Sequence, residues 1–393
     1  MIHYVSKRFP KLTETFVVEE VLGLEAAGER VIIDSLEPPL DEPRSPGTAR
    51  LRAKIRYVPE DPSRWQSFAA HAPLALRRPR TWLRLRRRAK ADGTWEEFRR
   101  AGLVARRTMA QRARHVHTHF AYYCADVGGM AAALAGRPFT VTAHANDIWQ
   151  DRNAPHLARR LSRAAGIVTP TEYNARHLRE VVPDVPVNVV PNSVTEAEQF
   201  RAPADGPLLC VGRLVPKKGI DTVIAAFAEL APTWPELRLE LIGEGHIEDE
   251  LRELAASLGV EGKVAFLGPQ PPDAVRDAYR RCSLIALACR ITPDGDRDGL
   301  PIVLLEALAH GLPVVTTDAV GISEVVKHRQ TGLLVPPDDP AALAAGIAEL
   351  LSDRALADEL GAAGRRFVRD RLSWDAKIES LRDVFGLSWA PGP

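Results

Sequence analysis

The sequence predicts an α/β protein made of two doubly wound, parallel-sheet domains. Three observations predict it. Short apolar runs alternate with helical periodicity from one end of the chain to the other, the pattern of βα units. With 393 residues, the chain exceeds the roughly 250–300 residues at which one hydrophobic core stops growing. A polar, Pro- and Gly-rich break runs from Pro191-Asn192-Ser193 to Pro203-Ala204-Asp205-Gly206-Pro207, as a linker would.

Taken in order, strands are expected near Ile2–Val5, Val31–Ser35, Val116–His119, Phe139–Thr142, Gly166–Val168 and Val187–Val190, with helices between them. After the break, strands are expected at Leu208–Gly212, Leu237–Ile242, Val264–Leu267, Leu284–Ala288, Pro313–Thr316 and Leu333–Val335. Beyond Pro340 the pattern is helical and ends in an amphipathic run to Phe385, with a Pro-Gly-Pro tail expected to be disordered. The domains are therefore set at 1–195, 196–370 and a terminal segment 371–393. Both halves read as Rossmann-like, with ligands expected beyond the carboxyl ends of the strands.

Composition excludes several classes. Apolar residues at 45% and charged residues at 26% are ordinary for a globular protein and wrong for a disordered one. Cys124, Cys210, Cys282 and Cys289 are far apart, which speaks against a zinc ribbon or a disulfide scaffold and for a reducing compartment. The start, Met1-Ile2-His3-Tyr4-Val5, reads as a strand rather than a signal peptide. No window approaches the ~20 apolar residues of a membrane span. The expected location is cytoplasmic, or peripheral on the inner face of the membrane.

The net charge of +1 conceals an asymmetry, about nine excess positive charges in residues 1–200 against about eight excess negative charges in the rest. Much of the excess lies in Arg77–Arg88, where Trp82, Leu83 and Leu85 interleave with arginines. That composition suits contact with an anionic membrane or acceptor, and equally a solvated helix face. No accompanying motif supports nucleic acid.

Three segments carry chemistry. In Asp298-Gly299-Leu300-Pro301-Ile302 through Glu306, a Gly and a helix-starting Pro precede an apolar helix whose first-turn amides suit phosphate or a sugar hydroxyl. Glu306 and His310, four apart, are its polar positions; they would mark either a buried ribose contact or the solvent face. Gly212-Arg213-Leu214 to Lys217-Lys218-Gly219 follows the first strand of the second domain, and its cations beside a helix start would clamp a diphosphate. The pattern is neither a dinucleotide fingerprint nor a P-loop. Thr142-Ala143-His144 with Asp147 ends a strand of the first domain, where His144 and Asp147 would handle hydroxyls or protons and Asp147 would alternatively cap a turn. His115, His117 and His119 share one strand face. They lack a carboxylate or cysteine at a familiar ligand spacing, so no metal is expected. Asp294-Gly295-Asp296 reads as a polar loop rather than a metal pair.

Together these segments resemble the retaining glycosyltransferases of family 4, with the GT-B fold, along nearly the whole chain. The resemblance implies that Arg213 and Lys218 neutralise a leaving nucleotide diphosphate and that Glu306 binds its ribose. It also implies that Gly299, Leu300, Pro301 and Ile302 hold sugar and phosphate, and that the Gly243-Glu244-Gly245 loop approaches the nucleotide. Asp298 stands where the family has the first glutamate of its E-x7-E motif, one methylene shorter. His144 is placed near the anomeric carbon, giving His144, Asp298, Arg213 and Lys218 as the catalytic set. Phe9-Pro10-Lys11-Leu12-Thr13-Glu14 resembles the exopolysaccharide and colanic-acid subgroup, which places Thr13 and Glu14, with His119 and Asp147, on the acceptor side. Ser193 departs from the glycine usual after Asn192, and the first loop lacks the common Gly-Gly.

The implied reaction moves a sugar from a nucleotide sugar, UDP preferred and GDP the alternative, to a hydroxyl acceptor that is lipid-linked or a growing polysaccharide. No cofactor and no metal are expected, and the terminal helix would return to the first domain. A nucleotide-sugar epimerase of the same architecture and a non-enzymatic membrane-surface scaffold are the competing readings.

Overall fold

A computed structural model describes residues 1–11, 14–39, 46–150, 154–195 and 197–386. The chain divides into two compact units, Met1–Pro191 with the terminal helix Trp374–Val384, and Asn192–Ser373.

The first unit holds a seven-stranded parallel sheet: β1 Ile2–Arg8, β2 Val31–Glu37, β3 Lys54–Tyr57, β4 His115–His119, β5 Phe139–Thr142, β6 Gly166–Thr169 and β7 Val187–Val189, in the order β3-β2-β1-β4-β5-β6-β7. The second holds six parallel strands: β8 Leu208–Val211, β9 Leu239–Ile242, β10 Val264–Phe266, β11 Leu284–Leu287, β12 Val314–Thr317 and β13 Leu333–Val335, in the order β10-β9-β8-β11-β12-β13. β5, β11 and β12 are buried at every position, as the strands of a parallel sheet covered on both faces should be. β3 was missing from the expected elements. It is an edge strand pairing only with β2, and Lys54 and Arg56 break the apolar signal that edge strands need least.

Each sheet reverses its winding at one place, between β1 and β4 in the first unit and between β8 and β11 in the second. There the loops leaving adjacent strands part in opposite directions and open a crevice at the carboxyl ends. These two switch points position everything that follows.

The helix Trp374–Val384 belongs to the first unit. Ile378, Leu381 and Phe385 are buried with Val17, Val21 and Leu24 of the helix Thr15–Ala26. A Cβ on Gly23 would stand 2.7 Å from Ile378, so the two helices are in contact at that residue.

Candidate active site

At the switch point of the second unit, β8 leads into Gly212, Arg213 and the short turn Pro216–Lys218, then into the helix Ile220–Leu230. Gly219 joins turn to helix at φ 62°, and a Cβ there would lie 1.8 Å from the Ala288 carbonyl oxygen. Only glycine permits that approach of the loop after β8 to the segment after β11. The loop after β9 is pressed in the same way, since Cβ atoms on Gly243 and Gly245 would each lie 1.9 Å from the carbonyls of Gly212 and Leu214. Leu214 N–H donates to Glu244 O at 2.9 Å.

Between these loops lies a charged cluster. Lys218 Nζ is 2.5 Å from Asp298 Oδ2, and Lys217 Nζ is 2.9 Å from Asp296 and 3.8 Å from Asp298. Burial opposes ionisation of Asp298, but Lys218, Lys217 and Arg213 outweigh it and hold the carboxyl below its ordinary range. Lys218 is the reciprocal case: burial works against its charge, Asp298 wins, and its pKa is raised. Arg290, which carried no expected role, braces the cluster by donating from its amide to Lys217 O at 3.0 Å, from Nε to Pro216 O at 2.9 Å and from Nη1 to Asp338 at 2.7 Å. Asp296, half of the acidic pair in the polar loop, is taken up by Lys217.

Asp298 precedes Gly299, Leu300 and Pro301, all three buried, and the helix Ile302–His310. Pro301 is the N-cap rather than the first helical residue. With ψ 120° it lies outside the helix, and its carbonyl accepts from Leu304 N–H at 3.1 Å. The amides of Ile302 and Val303 donate to no carbonyl among the described residues, which leaves the helix start as an anion-receptive end. One turn on, Glu306 Oε2 accepts from Tyr279 OH at 2.8 Å. Burial raises the Glu306 pKa, and the tyrosine hydrogen bond only partly offsets this. His310, its expected companion, is a packing residue; it stacks on Phe200 at 4.3 Å and its Nδ1 meets Glu198 O at 2.8 Å. Arg213 and Glu244 have exposed side chains with no ion pair among the described residues.

The switch point of the first unit is built differently. His119 ends β4, and its Nε2 lies 2.8 Å from Glu20 Oε1 while its Nδ1 lies 3.2 Å from His144 Nε2. Tyr4 OH donates to the same Glu20 oxygen at 2.7 Å, and Lys377 Nζ stands 3.3 Å from the other. His117 engages Thr140 and Thr142, and His115 engages Thr140. Glu20, His117 and His119 bring ligand-type atoms within 4.8 Å of one another, so a carboxylate does join the histidines, from a helix the strand's spacing does not reveal. Glu20 and Lys377 were missed altogether. A signal existed: each sits on the apolar stripe of its helix, Glu20 among Val17, Val21 and Leu24 and Lys377 beside Ile378 and Leu381.

Asp147 is corrected. It is fully buried, and its two oxygens accept from the amides of Ala121 at 2.6 Å and His144 at 2.8 Å; it caps a turn instead of facing a substrate. Burial pushes its pKa up to about 7. Glu14 precedes the helix Thr15–Ala26 and pairs with Lys11 at 2.9 Å. Thr13 lies outside the described residues.

Comparisons with known proteins place the chain in a family. Residues 196–367 match the family described as glycosyl transferases group 1, and residues 13–198 match glycosyltransferase family 4. A GDP-mannose-dependent alpha-(1-6)-phosphatidylinositol monomannoside mannosyltransferase of Mycobacterium tuberculosis is 35% identical over 197 residues, 49% of this chain and 51% of the relative. A D-inositol 3-phosphate glycosyltransferase of Acidothermus cellulolyticus is 32% identical over 307 residues, 69% of this chain and 66% of the relative. The chain thus spans about half to two thirds of the length of these curated relatives. Among solved structures, HepE of Anabaena in complex with UDP and glucose superposes with a TM-score of 0.74 at 17% identity, over 98% of this chain and 99% of that one. With the two family regions running from residue 13 to residue 367, the chain belongs to the group 1, family 4 glycosyltransferases, whose fold is GT-B.

Proposed function

We propose that the chain transfers a sugar from a nucleotide diphosphate sugar to a hydroxyl acceptor, with retention at the anomeric carbon and on protein charge alone, without a metal. The observation that carries the reading is the Lys218–Asp298 pair at 2.5 Å, set at a switch point beside a helix start with unspent amides. A departing diphosphate gains negative charge, and fixed cations and amide dipoles in a poorly hydrated place stabilise it without reorganisation. Lys218 and Arg213 would take the phosphates, the amides from Ile302 onward the phosphate or sugar, and Asp298 a sugar hydroxyl. Glu306, steadied by Tyr279, would take the ribose. In the first unit His144 would act on the attacking hydroxyl.

The donor is read as a UDP- or GDP-sugar. The mycobacterial relative uses GDP-mannose by name and HepE was solved with UDP, so both bases belong in the screen. A thermal-shift screen of nucleotide sugars tests the reading, because a ligand that binds only the folded form raises its stability. A chelator that abolished turnover would overturn the metal-free part.

The acceptor is read as carried by a lipid or growing polysaccharide, with the first unit resting on an anionic membrane. In support, Trp65, Phe68 and Leu76 are 80%, 64% and 85% exposed on the helix Arg64–Arg77. The next helix, Pro79–Ala91, exposes Arg80, Arg84, Arg87 and Arg88. Of the expected apolar partners Leu83 is exposed, whereas Leu85 is buried and Trp82 Nε1 donates to His71 at 3.0 Å. No helix of the described residues is long and apolar enough to cross a membrane. Sedimentation with phosphatidylserine vesicles, compared with neutral vesicles, tests this contact.

A further inference from the structure

The cluster in the first unit has a direction. Tyr4 can only donate to Glu20, since burial and the neighbouring carboxylate raise the phenol's pKa far above its ordinary value. Glu20 Oε1 therefore accepts twice, from Tyr4 OH at 2.7 Å and from His119 Nε2 at 2.8 Å. Its Oε2 is buried without a hydrogen bond and faces the Lys377 ammonium at 3.3 Å. An ionised carboxylate accepts only, so His119 carries a proton on Nε2. In neutral His119 the other nitrogen, Nδ1, then holds a lone pair, and it lies 3.2 Å from His144 Nε2. His144 must supply the proton of that contact from Nε2, which leaves its Nδ1 as the acceptor nitrogen. Around this chain the rings are held by aromatic contacts: His144 tilted against Phe16 at 4.9 Å and Phe120 at 4.6 Å, and His119 stacked on Tyr4 at 5.9 Å.

We propose that Glu20 is a positioning residue for the transfer reaction: through His119 it fixes His144 in the tautomer with the proton on Nε2 and Nδ1 as the acceptor nitrogen. This rests on the reading of His144 as the group that acts on the attacking hydroxyl. The same chain allows charge to move inward. If His144 Nδ1 takes a proton, its Nε2 proton can pass to His119 Nδ1. The cation is then His119 beside the Glu20 anion, and His144 is again neutral, now with its proton on Nδ1. That outcome suits the surroundings, because burial, His119 and Lys377 all oppose a charge on His144 itself. The charged and titratable groups facing the chain are Tyr4 from β1, His117 from β4, Asp147, whose carboxylate accepts from the His144 amide, and Lys377 from the terminal helix.

A metal held by Glu20, His117 and His119 is the rival occupant of the same atoms. The hydrogen bonds account for those atoms with protons instead: His117 has both nitrogens on threonine hydroxyls at 2.7 and 3.1 Å, and Lys377 already balances Glu20.

The test is the tautomer itself, read by nitrogen NMR of the full chain labelled with 15N-histidine, with His144 assigned by the difference from His144→Asn. In the unaltered protein at neutral pH, His144 is expected to show a protonated Nε2 and an unprotonated Nδ1. His119→Asn and the pair Glu20→Leu with Lys377→Met, which removes both buried charges together, should move the signals toward a mixture of tautomers. Glu20→Gln keeps the shape and an acceptor oxygen but removes the charge. It should lower kcat by about tenfold, with donor KM unchanged, and move the His144 nitrogen signals in the same direction. A merely structural role would not produce these signatures. An unaltered protein with the proton on His144 Nδ1, folded variants with unmoved His144 signals, or a stoichiometric metal found by elemental analysis would each overturn the proposal. Failure of every nucleotide sugar to bind would instead overturn the donor reading and leave the tautomer result standing.

Discussion

The two switch points place their working groups in opposite ways. In the second unit, Lys217 and Lys218 meet Asp296 and Asp298 as full charges, and the backbone around them is drawn tight by Gly219, Gly243 and Gly245. In the first unit, one buried carboxylate orders a line of histidines and a tyrosine. Fixed cations suit a diphosphate whose charge grows during reaction, whereas neutral imidazoles suit hydroxyls and protons. The contrast thus supports the proposal of a donor side in the second unit and an acceptor side in the first.

The largest expected effect breaks the donor side. Lys218→Ala should reduce transfer by about 10²- to 10³-fold, the usual cost of losing one preorganised stabiliser of developing charge. It should also destabilise the fold by about 3 kcal/mol, because Asp298 is left buried without its partner. Steady-state rates and urea unfolding read the two effects, and an unchanged rate would remove Lys218 from the site. Next comes the backbone. Gly219→Ala should cost about 2–3 kcal/mol, since the new Cβ would collide with the Ala288 carbonyl in a conformation that disfavours a side chain. Denaturation midpoints check it; a neutral result would mean the loops do not need to approach.

Glu306→Gln is expected to be milder, raising the donor KM by roughly tenfold, the equivalent of about 1.5 kcal/mol for a charged hydrogen bond, while kcat stays near normal. Tyr279→Phe should give a smaller change in the same direction.

The extent to which sequence revealed each side follows from the same contrast. The donor side lies in contiguous runs, Gly212–Gly219 and Asp298–Glu306, because a loop and a helix start each need their residues in order. The proposed acceptor side draws Tyr4, Glu20, His119 and Lys377 from four separate elements and His144 from the segment after β5, and no local spacing connects them. Asp147 looked like a site residue because a carboxylate near a histidine serves a cap as well as a substrate. His310 looked paired with Glu306 by helical spacing, but Phe200, from outside the helix, claims it. The strands were legible wherever they are apolar throughout, and β3, whose outer position is charged, was not.

Acid should sharpen the comparison. The Asp298 pKa in the folded state is held below its ordinary 3.8, so its stabilising contribution is present above that value and is lost as pH falls through the folded value. Stability should therefore fall below about pH 4, and Lys218→Met should remove that component. A comparably small effect is expected on the membrane face, where neutralising one arginine, Arg84→Gln, should weaken vesicle binding by about 1 kcal/mol, most visibly at low salt, and leave donor binding untouched.

The central claim is that the second unit's switch point holds a nucleotide diphosphate sugar through Lys218, Asp298 and Glu306. Calorimetric titration of UDP- and GDP-sugars into the unaltered chain and Lys218→Ala tests it most directly. The account predicts that at least one of these donors binds the unaltered chain and binds the variant at least tenfold more weakly, about 1.4 kcal/mol; equal affinity for both chains, or no binding by any nucleotide sugar, would contradict it.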